Sequence, residues 1–417
     1  MKNVFCILIS LFSTQLFAKE MVSFNLSFEE EYIDVPISLS LDNIDYNRDS
    51  LQLQLYEITR SGQKFIPSQL ESGHSARLWF VLEGVSKKNS TRKFVIRLGE
   101  NELPDQPDRQ IYSENADGNL TFYSGKNPII SYRYETMYPP KGVSPLFKRS
   151  GFIHPLWSPK GEVLTRVQPP DHYHHYGIWG PWTLTHIGDR EVDFWNLNKG
   201  EGTVKFAGFL SETTGSVFSG FRVLQQHMDF GAKGEDRIAM NEVLDVRVWN
   251  SSNGVWIIDY TTAINTPLKD GIMLDAYRYG GGIGYRATEK WTKDNCTVLT
   301  SEGKTRTDAD GSTARWCIVE GESAVDEGRS GILFLSHPSN RAHPEPMRVW
   351  PLDSNGGRGD MYFEFTPIRH KSWELKNGND YVLKYRMIVF DGQIDKETAE
   401  MYWRSFAAIP SIEIKFN

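Results

Sequence analysis

Ten histidines occur in the chain, and five of them fall between His154 and His186. The densest string is Pro169-Pro170-Asp171-His172-Tyr173-His174-His175-Tyr176-Gly177-Ile178-Trp179. The two prolines disfavour a helix at its start. If the string is extended, His172 and His174 project to one side and His175 to the other. Two imidazoles at that spacing can share a divalent metal, with a third ligand from elsewhere. They can equally act as a proton-transfer pair near neutral pH. His172, His174 and His175 are therefore candidate catalytic residues, His172 and His174 also candidate metal ligands, and Trp179 a candidate sugar platform.

A second string, Ser336-His337-Pro338-Ser339-Asn340-Arg341-Ala342-His343-Pro344, leaves the apolar run Gly331–Leu335. Loops that depart from a rigid strand commonly carry function. His337 is expected to join the first string as base or ligand. Arg341 is expected to grip a carboxylate by paired hydrogen bonds, with His343 beside it. The alternative is that both His-Pro pairs are turn punctuation. A third string, Tyr277-Arg278-Tyr279-Gly280-Gly281-Gly282-Ile283-Gly284-Tyr285-Arg286, does not fit a dinucleotide fingerprint, because the glycine spacing is wrong and no βαβ unit surrounds it. Its glycines let the backbone turn tightly or approach a ligand. Tyr279 is a candidate acid or base, and Arg278, Arg286 and Arg315 are candidate contacts to sugar or carboxylate. No nucleophile elbow, P-loop or His-Glu-x-x-His string occurs.

The elements that must hold these residues read as strands. Leu51–Leu55 alternates as a half-buried strand does, and Leu78–Leu82 and Phe94–Leu98 are further short β-type runs. Glu100–Asp117, polar and holding Pro104 and Pro107, reads as a linker. Beyond it, strand-like runs recur at Leu120–Tyr123, Val204–Leu210, Val243–Trp249, Val255–Ile264, Gly331–Ser336, Met361–Phe365 and Tyr381–Phe390, separated by Gly, Asn, Asp and Pro. Many strands with few amphipathic segments predict an all-β fold. The expected order is a small N-terminal β-sandwich over 19–110, then a large β-sandwich over 111–417. One helix is expected near the C-terminus, capped by Asp395, with Ala399, Tyr402, Trp403 and Phe406 on one face.

Composition narrows the partners. A formal charge of −7 argues against a nucleic-acid backbone, which needs clustered Lys and Arg. It leaves room for an anionic ligand in a local arginine pocket. Aromatics make up 13% of the chain, with 12 Trp; flat rings pack on sugar faces and also simply fill sheet cores. Met1-Lys2, the apolar run Val4–Phe17 and Ala18 form a secretory leader over 1–18, too short to span a membrane as a mature helix. The expected location is periplasmic or secreted, without membrane insertion. Cys296 and Cys317 would remain after cleavage, as buried thiols or as one bridge. Oligomeric state is not legible.

Gly151-Phe152-Ile153-His154-Pro155-Leu156-Trp157-Ser158-Pro159, the Pro170–Trp179 string, Ala314-Arg315-Trp316 and the His337–Pro344 string together resemble a bacterial family of unknown function often labelled "methane oxygenase PmoA". The resemblance spans most of the chain beyond about residue 25. It departs from the family pattern at Tyr173, where Pro is usual, and at Tyr176, where Arg is usual. Methane oxidation itself needs membrane-embedded subunits, so the label's chemistry is not expected here. The resemblance implies a supersandwich of the kind seen in sugar mutarotases and polysaccharide lyases, and a role in polysaccharide utilisation. The expected function is a secreted carbon–oxygen lyase that eliminates water, or a sugar, from uronic-acid-containing oligosaccharides. Glycoside hydrolysis, sugar epimerisation and non-catalytic carbohydrate binding are the alternatives. The partner is an oligosaccharide, and a divalent metal is the one cofactor the histidines suggest.

Overall fold

A computed structural model describes residues 20–42, 52–99, 110–231, 236–251, 253–325 and 328–416. The leader expected over 1–18 and most of the linker lie outside the described residues. The fold is all-β with one C-terminal helix.

Two large antiparallel sheets form the main body. One has eight strands in the order 202–213, 218–229, 237–249, 256–265, 381–391, 329–336, 316–322 and 296–300. The other has nine, running 313–314, 345–349, 362–365, 283–286, 178–179, 152–156, 127–133, 119–124 and 111–116. Alternation sets which side chains face inward. Along Trp256–Asn265 buried and half-buried residues alternate almost without break. From the nine-stranded sheet, Ile178, Ile283, Tyr285, Met347, Val349, Phe363 and Phe365 point into the shared core, where they meet Tyr260, Phe334 and Tyr385 of the facing sheet. The segment read as a linker is in part strand: Ile111–Ala116 pairs with Asn119–Ser124. Its polarity reflects an edge strand whose residues after Ile111 are mostly exposed.

The N-terminal sheets, 20–28, 52–59, 62–66 and 90–99 against 32–40, 69–71 and 77–86, enclose a separate core that includes Phe24, Ile37, Phe80 and Phe94. Its outermost strand, Ser411–Phe416, comes from the other end of the chain and pairs with Glu20–Phe28. The small sandwich is thus completed by residues far beyond 110. The helix Lys396–Ala407 delivers the chain there. Asp395 accepts the Thr398 amide at 2.8 Å, a cap worth about 1 kcal/mol. Tyr402 donates to Asp34, and Ser405 accepts the Ile33 amide, so the helix is fastened to the N-terminal sheet.

Cys296 and Cys317 are free and buried. In the strand pairing Cys317 faces Thr300, not Cys296, so alignment carries the two thiols past each other. Burial pushes the Cys296 thiol up to about 12. Among the described residues no helix is long and apolar enough to cross a membrane.

Candidate functional site

On the nine-stranded sheet the residues between the core-facing ones point away from the sandwich. Register aligns them: Arg348 and Gly284 both face Glu364 across the ladder, Arg286 faces Tyr362, and Trp179 faces Gly284. This outer face gathers its own aromatic cluster, including Phe152, Tyr176, Trp179, Trp195, Trp350 and Tyr362. Above it opens a cavity of about 350 Å³ lined by His172, His174, His175, Trp195, Asn196, Arg278, Tyr279, Arg348, Trp350, Ser354, Asn355 and Tyr362. A neighbouring depression shares His172, His174 and Asn196 and continues over Phe147, Tyr173 and Lys199.

The histidine string is not extended. The Val167–Tyr176 bridge closes it at its base. Within it the His172 amide donates to Pro169 and the His175 amide to His172, giving two successive turns. Coiling brings all three rings to one side, with centroids 5.3, 4.7 and 4.9 Å apart. One ring nitrogen of each lies within 4.8 Å of the others. The third member of the set is therefore His175 of the same string rather than a distant residue. Gly177 allows the return: its φ is +64°, and a Cβ there would sit 2.3 Å from the Ile153 carbonyl.

Each histidine is held differently. His172 donates Nδ1–H to Asp171 at 2.8 Å. The same Asp171 oxygen accepts the Arg286 guanidinium at 2.7 Å. His172, Asp171 and Arg286 thus form one chain of hydrogen bonds, with Nε2 of His172 left free. Arg286 is fully buried and lies over Trp350, 4.7 Å from the ring centroid. His175 is packed between Trp195, Trp350 and Tyr362, and its Nδ1 is buried without a hydrogen-bond partner. Burial holds His175 well below the usual imidazole range and lowers His174 to about 4, with neighbouring His172 adding to the effect on His174. Both rings are neutral donors of a lone pair at physiological pH.

The remaining wall comes from the Asp193 turn, the triple-glycine turn and the segment that carries Ser354 and Asn355. Asp193 accepts the Trp195 and Asn196 amides at 2.9 and 2.8 Å and the Asn196 side chain at 2.8 Å; this Asx turn presents Trp195 and Asn196. The triple glycine holds φ at +121°, +90° and +61°, and a Cβ on Gly281 would run 2.3 Å from Trp182. That turn sets Tyr279 edge-on against Trp195 at 4.5 Å, with Arg278 over the Tyr279 ring. Burial and the Tyr277 phenol push Tyr279 up to about 12. Behind the wall, Tyr362 donates to Glu364 at 2.8 Å, and the Gly280 amide donates to the other Glu364 oxygen at 2.7 Å. Burial raises the Glu364 carboxyl well above the usual range.

Of the residues singled out in the sequence, the structure brings together His172, His174, His175, Tyr279 and Arg278 at the cavity, with Trp179 and Arg286 directly beneath. It does not bring in the second string. His337 stacks edge-on against Phe406 and bonds Ser339, and His343 lies flat over Trp403. Arg341 lies over Trp373 and donates to the Ser372 carbonyl at 2.7 Å. Arg315 is paired with Glu400 of the helix through both guanidinium ends. The expected convergence of His337, Arg341 and His343 with the first string is thus corrected. His343 and Trp350 flank opposite ends of the strand Glu345–Val349, whose five extended residues span roughly 15 Å. These side chains dock the helix and the small sheet 373–375 instead. Sequence reading missed Trp195, Asn196, Arg348, Trp350, Asn355 and Tyr362. Only the alternation of Arg348 with Trp350 hinted at them.

Residues 119–404 match a family described as a family of unknown function, DUF6807. The matched span takes in every residue of the cavity and leaves out the N-terminal strands. No curated protein matches the chain.

Proposed function

The chain belongs to that family of unknown function, and from the side chains gathered at its cavity we propose that it is a carbohydrate-active carbon–oxygen lyase. Its substrate is a uronic-acid-containing oligosaccharide. It removes the C5 proton and breaks the C4–O4 bond. The electron pair of the C–H bond becomes the C4–C5 double bond, and O4 leaves with a proton as water or as the preceding sugar.

One observation carries the reading. Among the described residues that line it the cavity shows imidazoles, phenols, indoles and arginines and no Asp or Glu; the carboxylate on the adjoining depression, Asp171, is already held by His172 and Arg286. Hydrolysis of a glycosidic bond ordinarily uses two carboxylates flanking it. Elimination instead needs a cation on the uronate carboxylate, a proton acceptor and a proton donor. Arg278 has no carboxylate partner among the described residues and is free to bind the substrate anion. The histidine trio furnishes the acceptor. Tyr279, with its phenol held protonated, furnishes the donor. Trp195 and Trp350 offer ring faces for a pyranose.

The test is incubation with uronic-acid oligosaccharides, with and without chelator, followed by mass spectrometry and ultraviolet absorbance. A product lighter by one water, or a cleaved product with a new conjugated double bond, is expected. New reducing ends without that absorbance would mean a hydrolase. Affinity with no product at any enzyme concentration would mean a binding protein. His174→Ala is expected to abolish turnover while sugar affinity survives.

A further inference from the structure

We propose that His172, His174 and His175 form a three-histidine site for a divalent transition metal, open on one side to the cavity. Three observations carry it. The three ring nitrogens already lie within 4.8 Å of one another. Around a tetrahedral ion with bonds of about 2.0–2.1 Å, ligand nitrogens sit roughly 3.3 Å apart. Small rotations of His172 and His174, both partly exposed, close that gap, while His175 stays fixed by its aromatic walls. Secondly, the Asp171 carboxylate takes the Nδ1–H of His172 and is itself held by Arg286. A carboxylate behind an imidazole is the usual support of a metal-binding histidine, because it fixes the tautomer and aims the free nitrogen. Thirdly, Nδ1 of His175 is buried with no partner, and an orphaned polar atom in so dry a setting is destabilising unless something binds there.

The donor set selects the ion. Three imidazoles without a carboxylate suit zinc, copper, nickel or iron and reject magnesium and calcium, which want oxygen. Three protein ligands leave the fourth position vacant, as in catalytic rather than structural zinc sites. That position faces the space shared with Arg278 and Tyr279. The role of the ion rests on the lyase reading: there it would help Arg278 neutralise the uronate carboxylate, and a hydroxide bound to it would take the C5 proton in place of a free ring nitrogen of the trio. Metal binding itself does not depend on that reading.

Tag-free full chain, dialysed against chelator and then against Zn(II) or Co(II), is measured for metal content by mass spectrometry and for visible absorption of bound Co(II). One ion per chain is expected, with a tetrahedral cobalt spectrum and a raised melting temperature on adding Zn(II). His172→Ala, at a partly exposed ring, should lose the ion while keeping the wild-type circular dichroism. Asp171→Asn should weaken affinity about 10–100-fold. Failure of wild type to take up stoichiometric metal, or unchanged uptake by both His172→Ala and His174→Ala, overturns the site. None of these readouts uses an oligosaccharide, so a bound ion with no elimination product would sink the lyase reading and leave the metal site standing.

Discussion

Arg286 Nη2 lies 2.7 Å from Asp171 Oδ2, so a strand-end guanidinium reaches 115 residues back along the chain to fix the loop that bears the histidines. The pair is nearly buried on the arginine side and shielded by Trp350. Arg286 also stands 3.5 Å from Asp360, which makes it the hub between the histidine loop and the Trp350–Asp360 loop.

Replacing Arg286 by Met leaves Asp171 and Asp360 without their common cation. Removing one partner of a buried pair typically costs about 3–5 kcal/mol, and the lower end applies here because Asp171 keeps some solvent. Urea unfolding should show that loss, and turnover should fall with it as His172 loses its orientation. Wild-type stability together with wild-type turnover would show that the hub has no such role.

Arg278 is assigned to the substrate anion. A hydrogen bond to a charged group is worth about 1.5–3 kcal/mol, so Arg278→Met should lower kcat/KM for a uronate oligosaccharide roughly 10–100-fold. Affinity for a neutral oligosaccharide of the same length should hardly change. Equal losses for both ligands would point to a collapsed wall rather than a lost charge contact.

The corrected second string makes an opposite prediction. His337→Ala and Arg341→Ala sit against the helix and the small sheet, away from the cavity. Both variants should keep kcat/KM while lowering the melting temperature. A large drop in kcat for either, with stability intact, would return that residue to the site.

Glu345 gives a pH signature. It is fully buried among Ser336, Asn340 and Tyr385, and burial moves its carboxyl from an ordinary 4.5 up to about 7. Below pH 4.5 it is protonated both folded and unfolded, and its contribution is constant. Between 4.5 and 7 the folded chain holds a proton that the unfolded chain has lost, so stability falls as pH rises. The full difference, reached above pH 7, is roughly 3 kcal/mol. Glu345→Gln should flatten this slope in denaturation curves taken from pH 4.5 to 7.5. A variant with the wild-type slope would remove Glu345 as its source.

Much of the fold was legible because strand signals are local. Alternating residues at Val255–Ile264 and Tyr381–Phe390 announce strands wherever they pair, and Asp395 with Ala399, Tyr402 and Phe406 announces a capped helix from side chains within three turns. The histidine density around His172 was equally plain. What the string could not reveal was its own coil: Gly177 and the Val167–Tyr176 bridge curl it so that His175 joins His172 and His174, whereas extended backbone would have turned it away.

The amino-acid order alone determined an all-β chain with one late helix and a cluster of imidazoles able to do chemistry. Tertiary structure alone decided their companions. Arg348 and Tyr362 reach the cavity because antiparallel register lines up alternate residues of neighbouring strands on one outer face, while Trp195 arrives on the turn held by Asp193 and Trp350 just past the end of its strand. The same register carried His343 to the far end of its strand, and the helix then claimed His337, His343 and Arg315. Side-chain type is written locally, but which face and which end of a sheet it occupies depends on hydrogen-bond partners on other strands, such as Tyr285 facing Ile178.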